Sequence, residues 1–308
     1  MSSGAHTPCG IAIPQFFIDR PTDMELVRTC VRRAEALGYD SLWTQEQIIG
    51  DVPILEPLTL LSYVAALTSK LRLGVSVMVT PVRNPLQLAK SLSSLDQMSG
   101  GRLTVGVGVG ATPQEATFGY DSQHRVRRFV EGLQVMKALW TSPRATVTGT
   151  FWQFQNVAME PKPLQKPHPP LWFGGREAPA LKRAVQHGDG WMGAGGSSSS
   201  DFVKHVGLVR RFLDEAGRDP ATFPISKRVY IAVDNDRARA ERRLRAWFGP
   251  AYGSADLASA VSVYGNRAEC VDRLGEVVKA GAQHLMLNPV VDELEHVDLL
   301  GRDIVPYV

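Results

Sequence analysis

Three stretches of small and β-branched residues constrain this chain more than anything else in it. They are Gly74-Val75-Ser76-Val77-Met78-Val79-Thr80-Pro81, Leu103-Thr104-Val105-Gly106-Val107-Gly108-Val109-Gly110 and Pro170-Leu171-Trp172-Phe173-Gly174-Gly175-Arg176. Successive side chains of a strand point to opposite faces. In the first stretch Val75, Val77 and Val79 therefore share one face, and Gly74 and Ser76 the other. In the second, Leu103, Val105, Val107 and Val109 oppose Gly106, Gly108 and Gly110. The aliphatic faces suit packing against helices, and the glycine faces offer bare backbone to whatever approaches. A void in a core is costly, so a glycine-lined hollow implies a flat guest.

Around these stretches strand and helix alternate. Strands are expected at Gly10–Ile13, Ser41–Thr44, Leu71–Val79, Arg102–Val109, Pro170–Phe173, Asp189–Ala194, Ile225–Val233 and His284–Leu287. Between them lie helical patterns such as Thr22–Leu37, with Leu26, Val27, Cys30, Val31, Ala34 and Leu37 on one stripe and Gly38 as its stop. Others are Pro57–Thr68, Pro85–Met98, Val126–Trp140, Pro179–His187, Asp201–Ala216 and segments between Asp236 and Val263. Asn266–Ala280 opens with Asn266 and Glu269 in capping-box spacing. Eight strands separated by helices over 308 residues predict a (β/α)8 TIM barrel, in preference to an open doubly wound sheet. It is expected to span 1–308 as one domain, interrupted by an irregular excursion of turns and short strands at Thr141–Pro169, between the fourth and fifth strands.

Composition excludes several classes of function. With 34 Lys and Arg against 31 Asp and Glu, the net charge is +3 without a long basic run, which argues against nucleic-acid and membrane partners. The three cysteines, Cys9, Cys30 and Cys270, are scattered and odd in number, and fit neither a disulfide framework nor a metal site. His6 and Cys9 form one close pair without further ligands nearby. Met1–Pro8 carries no signal-peptide pattern, and no apolar run reaches the roughly 20 residues of a membrane helix. A reduced, cytoplasmic protein is expected.

In such barrels chemistry sits at the C-terminal ends of the strands. Those positions hold Gln15, Trp43 to Gln47, Ser76 to Thr80, Gly110 to Gln114, Gly174 to Arg176, Ala194 to Ser200 and Asn288. Glu46 and Arg176 are the obvious ionisable members. There is no metal-ligand cluster, nucleophile elbow or phosphate loop, and the every-second-residue glycines of Gly106–Gly110 are not a dinucleotide fingerprint. A site with space, backbone amides and few acids or bases implies a bound cofactor that carries the hard chemistry.

Ordered motifs along the chain narrow this further. They are Asn84-Pro85 with Ala89-Lys90, Leu95-Asp96 with Ser99-Gly100-Gly101-Arg102, Gly106-Val107-Gly108, Arg128-Phe129 with Glu131-Gly132, His168-Pro169-Pro170 with Trp172 and Gly174-Gly175, and Gly188-Asp189-Gly190-Trp191. Together they resemble the luciferase-like superfamily, whose barrel proteins use reduced FMN or the deazaflavin coenzyme F420. The resemblance is dense from about Gly10 to Ala194 and thins beyond.

It implies an oxidoreductase that moves a hydride between coenzyme F420 and a small organic substrate, with an FMNH2-dependent monooxygenase as the alternative. A flavin-sequestering protein without turnover is a third reading, which Glu46 and a mobile lid at Gly195–Ser200 argue against. The resemblance places a non-proline cis peptide between Ser76 and Val77, bulging the third strand behind the ring. It points to Ser76, Val77, Gly108, Gly110, Gly174, Gly175, Arg176 and Ala194 as the cofactor-binding set, with the Gly174-Gly175-Arg176 turn offering amides and a guanidinium to a phosphate tail. A homodimer is expected.

The sugar-phosphate dehydrogenase branch has Asp-His where this chain has Glu46-Gln47, and a glutamate where it has Ala111. Glucose 6-phosphate is therefore not expected as substrate. Glu46 becomes the candidate acid/base and Gln47 its neutral hydrogen-bonding neighbour. Ser99–Arg102 is expected to be a tight turn, Asp189 and Trp191 barrel packing, and Arg125, Arg127 and Arg128 a solvated helix face. His124 is expected at the barrel rim.

Overall fold

The computed structural model describes residues 7–18, 20–110 and 115–308. Eight parallel strands close a barrel: β1 (Cys9–Ala12), β2 (Ser41–Thr44), β3 (Arg72–Val79), β4 (Leu103–Gly108), β7 (Leu171–Gly174), β8 (Gly190–Gly193), β9 (Ile225–Val233) and β11 (His284–Pro289). Their order follows the chain, and the seam closes where β8 pairs with β9 and β11 with β1. Helices α1 (Met24–Leu37), α2 (Pro57–Leu67), α3 (Pro85–Met98), α4 (Arg125–Thr141), α5 (Ala178–His187), α6 (Ser199–Glu215), α7 (Arg237–Tyr252), α8 (Leu257–Val261), α9 (Arg267–Ala280) and α10 (Glu293–Leu299) wrap the outside. Asn84 caps α3 ahead of Pro85, Gly38 ends α1 at φ 79°, and Asn266 and Glu269 form the reciprocal capping box.

Outside the barrel wall, the expected excursion of short strands is present and one unexpected strand is added. The excursion holds an antiparallel hairpin, β5 (Ala145–Thr148) and β6 (Gln153–Val157), tied to α4 by the Glu131 carboxylate, which accepts from the amides of Thr150, Phe151 and Trp152. Val263 belongs to a short ninth strand, β10 (Val263–Gly265), which extends the far end of β9.

The main core lies between barrel and helices, and the outward residues of β4, Leu103, Val105 and Val107, are fully buried in it. The barrel interior carries a second apolar layer. There Trp43 stacks on Trp172 at 5.6 Å, and His284 packs against both rings. The glycines of this lower level are occupied rather than hollow. A Cβ on Gly74 would fall 2.3 Å from the Trp43 ring, and one on Gly190 2.8 Å from the Trp172 ring.

Candidate active site

The third strand departs from simple alternation, and the site is built on that departure. Val75 pairs with Val105 and the next pairing is Met78 with Val107, so Ser76 and Val77 together face Gly106. The Ser76–Val77 peptide is cis, as the resemblance implied. The extra residue reverses the faces beyond it. Met78, not Val77, joins Val75 in the buried outer core, while Val77 turns into the barrel. Its methyls lie 2.8 Å from where a Cβ would stand on Gly108 and on Gly174, and 3.0 Å from one on Gly106. The expected hollow is thus filled at its base by Val77, which stays half-buried and forms an apolar shelf at the mouth.

Beside the shelf lies a polar network that draws on five strands. Arg228 of β9 is 8% exposed. It donates to the Ser76 carbonyl at 3.3 Å, to Asn288 Oδ1 at 3.1 Å, and to Gln45 Oε1 and the Tyr230 hydroxyl. Gln45 Nε2 donates to Asn288 Oδ1 at 2.8 Å, and Gln15 pairs reciprocally with the Gln45 backbone. Every acceptor of Arg228 is neutral, and no carboxylate among the described residues forms an ion pair with it. A buried cation without a counter-ion is costly in isolation and welcomes an electron-rich ligand. Ser76 Oγ and Thr80 Oγ1, both on or just beyond β3, are buried with no hydrogen-bond partner.

Glu46 has a different task from a free acid. Its side chain is fully buried. One oxygen accepts from Arg83 Nε at 3.0 Å and from Arg83 Nη2, and the other accepts from the Val79 amide. Arg83 also bridges to Glu56 at 2.9 Å. Burial pushes the Glu46 carboxyl above its usual range against the pull of Arg83 and the Val79 N–H. The carboxylate clamps the end of β3 to the loop after β2. Gln47 lies over Gly50, with its amide at 1.9 Å from where a Cβ would stand.

Gly174, Gly175 and Arg176 lead into α5, with Gly175 at φ 146° and its carbonyl held by the Trp191 indole at 2.9 Å. Arg176 is exposed, with Glu177 at 3.8 Å. Asp189 accepts from the Leu171 amide at 2.9 Å and Trp191 is fully buried, so both are packing residues.

Across the mouth, the Ala194 carbonyl is held by Lys227. The Lys227 ammonium also donates to the Ser197 carbonyl at 2.8 Å and to Ser197 Oγ at 3.0 Å. Burial, with Arg228 alongside, lowers the Lys227 amine to about 7. Ser198 caps α6. Gly195–Ser200 is therefore a stapled helix entry rather than the expected free lid.

Near the end of β4, Gly110 has φ 84° and its carbonyl accepts from Arg125 Nη2 at 2.8 Å. Ala111 to Gln114 lie outside the described residues, as does His6. Immediately beyond them, the Glu115 carboxylate is 1% exposed with Arg125 at 3.0 Å. Arg128 is no solvated residue: it lies 3.7 Å over the Tyr120 ring and 4.5 Å over Trp152, and donates to the Pro81 carbonyl. His124 is exposed at the start of α4 and faces Phe151 at 6.4 Å. The described residues contain no cluster of metal-binding side chains. The three cysteines are buried and unpaired, and burial pushes each thiol up to about 12.

Sequence reasoning passed over Arg228 and Tyr230, although a signal was present. Ser226, Arg228 and Tyr230 alternate along a strand whose other row is aliphatic apart from Lys227, which puts one polar row inside the barrel.

A family model for luciferase-like monooxygenases matches residues 10–284. The chain belongs to the luciferase-like monooxygenase family. It is accordingly an enzyme of the oxidoreductase class. It is similar to the F420-dependent glucose-6-phosphate dehydrogenase of Kineococcus radiotolerans, 26% identical over 226 residues that make up 70% of this chain and 66% of that one. It is also similar to the phthiodiolone/phenolphthiodiolone dimycocerosates ketoreductase of Mycobacterium kansasii, 26% identical over 71% of this chain and 66% of that one. Each match thus spans just under two thirds of the relative's length. Among solved structures, an F420-dependent secondary alcohol dehydrogenase bound to an F420–acetone adduct superposes with a TM-score of 0.85 at 21% identity, over 97% of this chain and 98% of that one. The oxygenating constituent of 3,6-diketocamphane monooxygenase from Pseudomonas putida, in complex with FMN, gives 0.80 at 16% identity, over 98% and 99%. No helix of the described residues is long and apolar enough to cross a membrane.

Proposed function

We propose that this enzyme transfers a hydride between coenzyme F420 and a small organic substrate at the C-terminal mouth of its barrel. The observation that carries this reading is the β3 bulge, which sets Val77 on three glycines as an apolar shelf, with the uncompensated Arg228 beside it. A flat ring with a polar, electron-rich edge suits that combination. The unpartnered hydroxyls of Ser76 and Thr80 fit the same ligand, because a buried hydroxyl without a partner costs stability unless something fills the place. The similarity to F420-dependent enzymes supports the deazaflavin over FMN.

In this reading Val77 supports one ring face, and Ser76 and Arg228 offer donors toward the ring's polar edge. The Gly174-Gly175-Arg176 turn offers a phosphate tail its guanidinium and the N-terminus of α5. Gly108, like Gly174, leaves the room in which Val77 seats, Gly110 turns at φ 84° just beyond β4, and the Ala194 carbonyl is held back by Lys227. When bound, the deazaflavin supplies the two electrons of the reaction as a hydride. Glu46 holds the Val79 amide and so positions the shelf.

Calorimetric titration of the cofactor-free protein tests the choice of cofactor. F420 is expected to bind at concentrations well below those FMN needs, and Arg228→Met to weaken it. Tighter FMN binding, or FMN copurifying with the protein, would favour the flavin monooxygenase reading instead.

A further inference from the structure

The hydride-transfer reading leaves one requirement unmet by the residues described so far. A hydride added to a carbonyl carbon leaves charge on oxygen, and a proton must arrive there. Glu46 is sealed behind Arg83 and the Val79 amide, and Arg228 has no proton to give at working pH. The mouth nevertheless holds a connected path that ends in a partly exposed tyrosine.

Arg228 Nη2 donates to the Tyr230 hydroxyl oxygen, whose own proton can go to Gln45 Oε1 at 3.5 Å or to the Tyr252 oxygen. The hydroxyl of Tyr252 lies 2.6 Å from it. Tyr230 is fully buried and Tyr252 is 41% exposed, so the path runs from the buried cation to the surface of the mouth. Tyr252, the last residue of α7, is fixed by stacking on Phe248 at 5.2 Å and by an edge contact with Tyr230 at 5.9 Å. A Cβ on Gly196, in the loop after β8, would stand 3.9 Å from its ring. Tyr252 thus borders the same loop that Lys227 staples.

We propose that Tyr252 is the catalytic residue that exchanges a proton with the substrate oxygen, and that Tyr230 and Arg228 are positioning residues which hold the charge left on it. The proposal rests on the hydride-transfer reading and adds to it the substrate class, a ketone or aldehyde and the corresponding alcohol. In the reducing direction, the carbonyl carbon takes the hydride from reduced deazaflavin and its π pair moves to oxygen. That oxygen takes the Tyr252 proton, giving the alcohol and a phenolate. Tyr230 donates its O–H to the phenolate while Arg228 donates to Tyr230, which spreads the charge toward the one cation in the network, and solvent returns the proton. Alcohol oxidation runs the same steps backward. Tyr230 itself stays protonated, because burial holds its hydroxyl well above the ordinary tyrosine range against the pull of Arg228. The rings that pack on Tyr252, those of Tyr230, Trp247 and Phe248, are uncharged, and Tyr230 connects it to Arg228.

Two measurements test this. In the F420-loaded enzyme, Tyr252→Phe keeps the ring and removes the proton. Turnover of a ketone or secondary alcohol should fall roughly 10²–10⁴-fold, with cofactor affinity unchanged. In the cofactor-free protein, ultraviolet absorbance reports tyrosinate formation. There Arg228→Met should move the Tyr230 titration to still higher pH, because it removes the cation that pulls against burial, and Tyr230→Phe should abolish that response without changing side-chain shape. Unaltered turnover in Tyr252→Phe, or a tyrosinate titration indifferent to both Arg228→Met and Tyr230→Phe, overturns the proposal. A coupled titration in a protein that shows no F420 turnover with any carbonyl or alcohol would instead count against the hydride-transfer reading, and the two failures are distinguishable.

Discussion

His284, sealed in the floor of the barrel, governs how this protein meets acid. Its ring nitrogens lie 2.7 Å from Ser226 Oγ and 3.0 Å from Ser41 Oγ. Ser41 Oγ also accepts from the Trp43 indole, and the two hydroxyls can satisfy one donor and one acceptor, which is the neutral imidazole. Burial, with Arg72 nearby, lowers its pKa to about 3. The unfolded chain takes up the proton below about 6.5 while the folded one refuses it. Stability is therefore present in full above that pH and lost as pH falls toward 3, at up to about 1.4 kcal/mol per pH unit. Urea denaturation across that window should show this slope, and His284→Gln should flatten it. A slope unchanged in that variant would assign acid sensitivity to other groups. The sequence placed His284 at the start of the last strand, but nothing in it disclosed the two indoles and two hydroxyls that surround the ring. Those partners come from β2, β7 and β9, and only barrel closure brings them together.

At the scale of single elements, β3 shows where periodicity stops being informative. Hydrophobic alternation placed the strand correctly, because its aliphatic run cannot sit in a helix without stranding apolar surface. It gave the wrong face to Val77, since one inserted residue inverts every side chain beyond it. Only the resemblance pointed to the bulge. The glycines of β4 respond to the same geometry. A Cβ on Gly106 would stand 1.9 Å from the Val75 carbonyl oxygen, which is backbone and cannot swing aside. Gly106→Ala should therefore cost at least about 1–3 kcal/mol through overpacking. Gly207, in the middle of α6, has open space where a Cβ would go. Gly207→Ala should stabilise by about 0.5–1 kcal/mol, as helix propensity dictates. A denaturation midpoint that rose in Gly106→Ala would mean that β4 has room the structure does not show, and one that fell in Gly207→Ala would mean that α6 lacks the open space found there.

Across the whole molecule the two ends of the barrel divide the work, and they differ in how far the sequence disclosed them. The N-terminal end is legible because its devices are local. Ser99-Gly100-Gly101-Arg102 is the expected turn, with Gly100 at φ 69° and Gly101 at φ 79°. Arg102 then bolts neighbouring segments by donating to the carbonyls of Ala65, Thr68, Leu71 and Ser99. The C-terminal end was legible as a list of strand ends but not as a network. Arg228 lies 183 residues from Gln45 and 152 from Ser76, so its role depends on closure of the sheet. Lysine at position 102 keeps the charge but cannot serve four carbonyls with a planar fork. Arg102→Lys should therefore lose on the order of 2–3 kcal/mol of stability as buried acceptors go unmet. The folded fraction should keep its turnover, because the bolt lies at the end of the barrel that reads as stability rather than chemistry. Denaturant titration alongside turnover per folded molecule checks both halves, and a fall in turnover without a fall in stability would show that the two ends are coupled through β4.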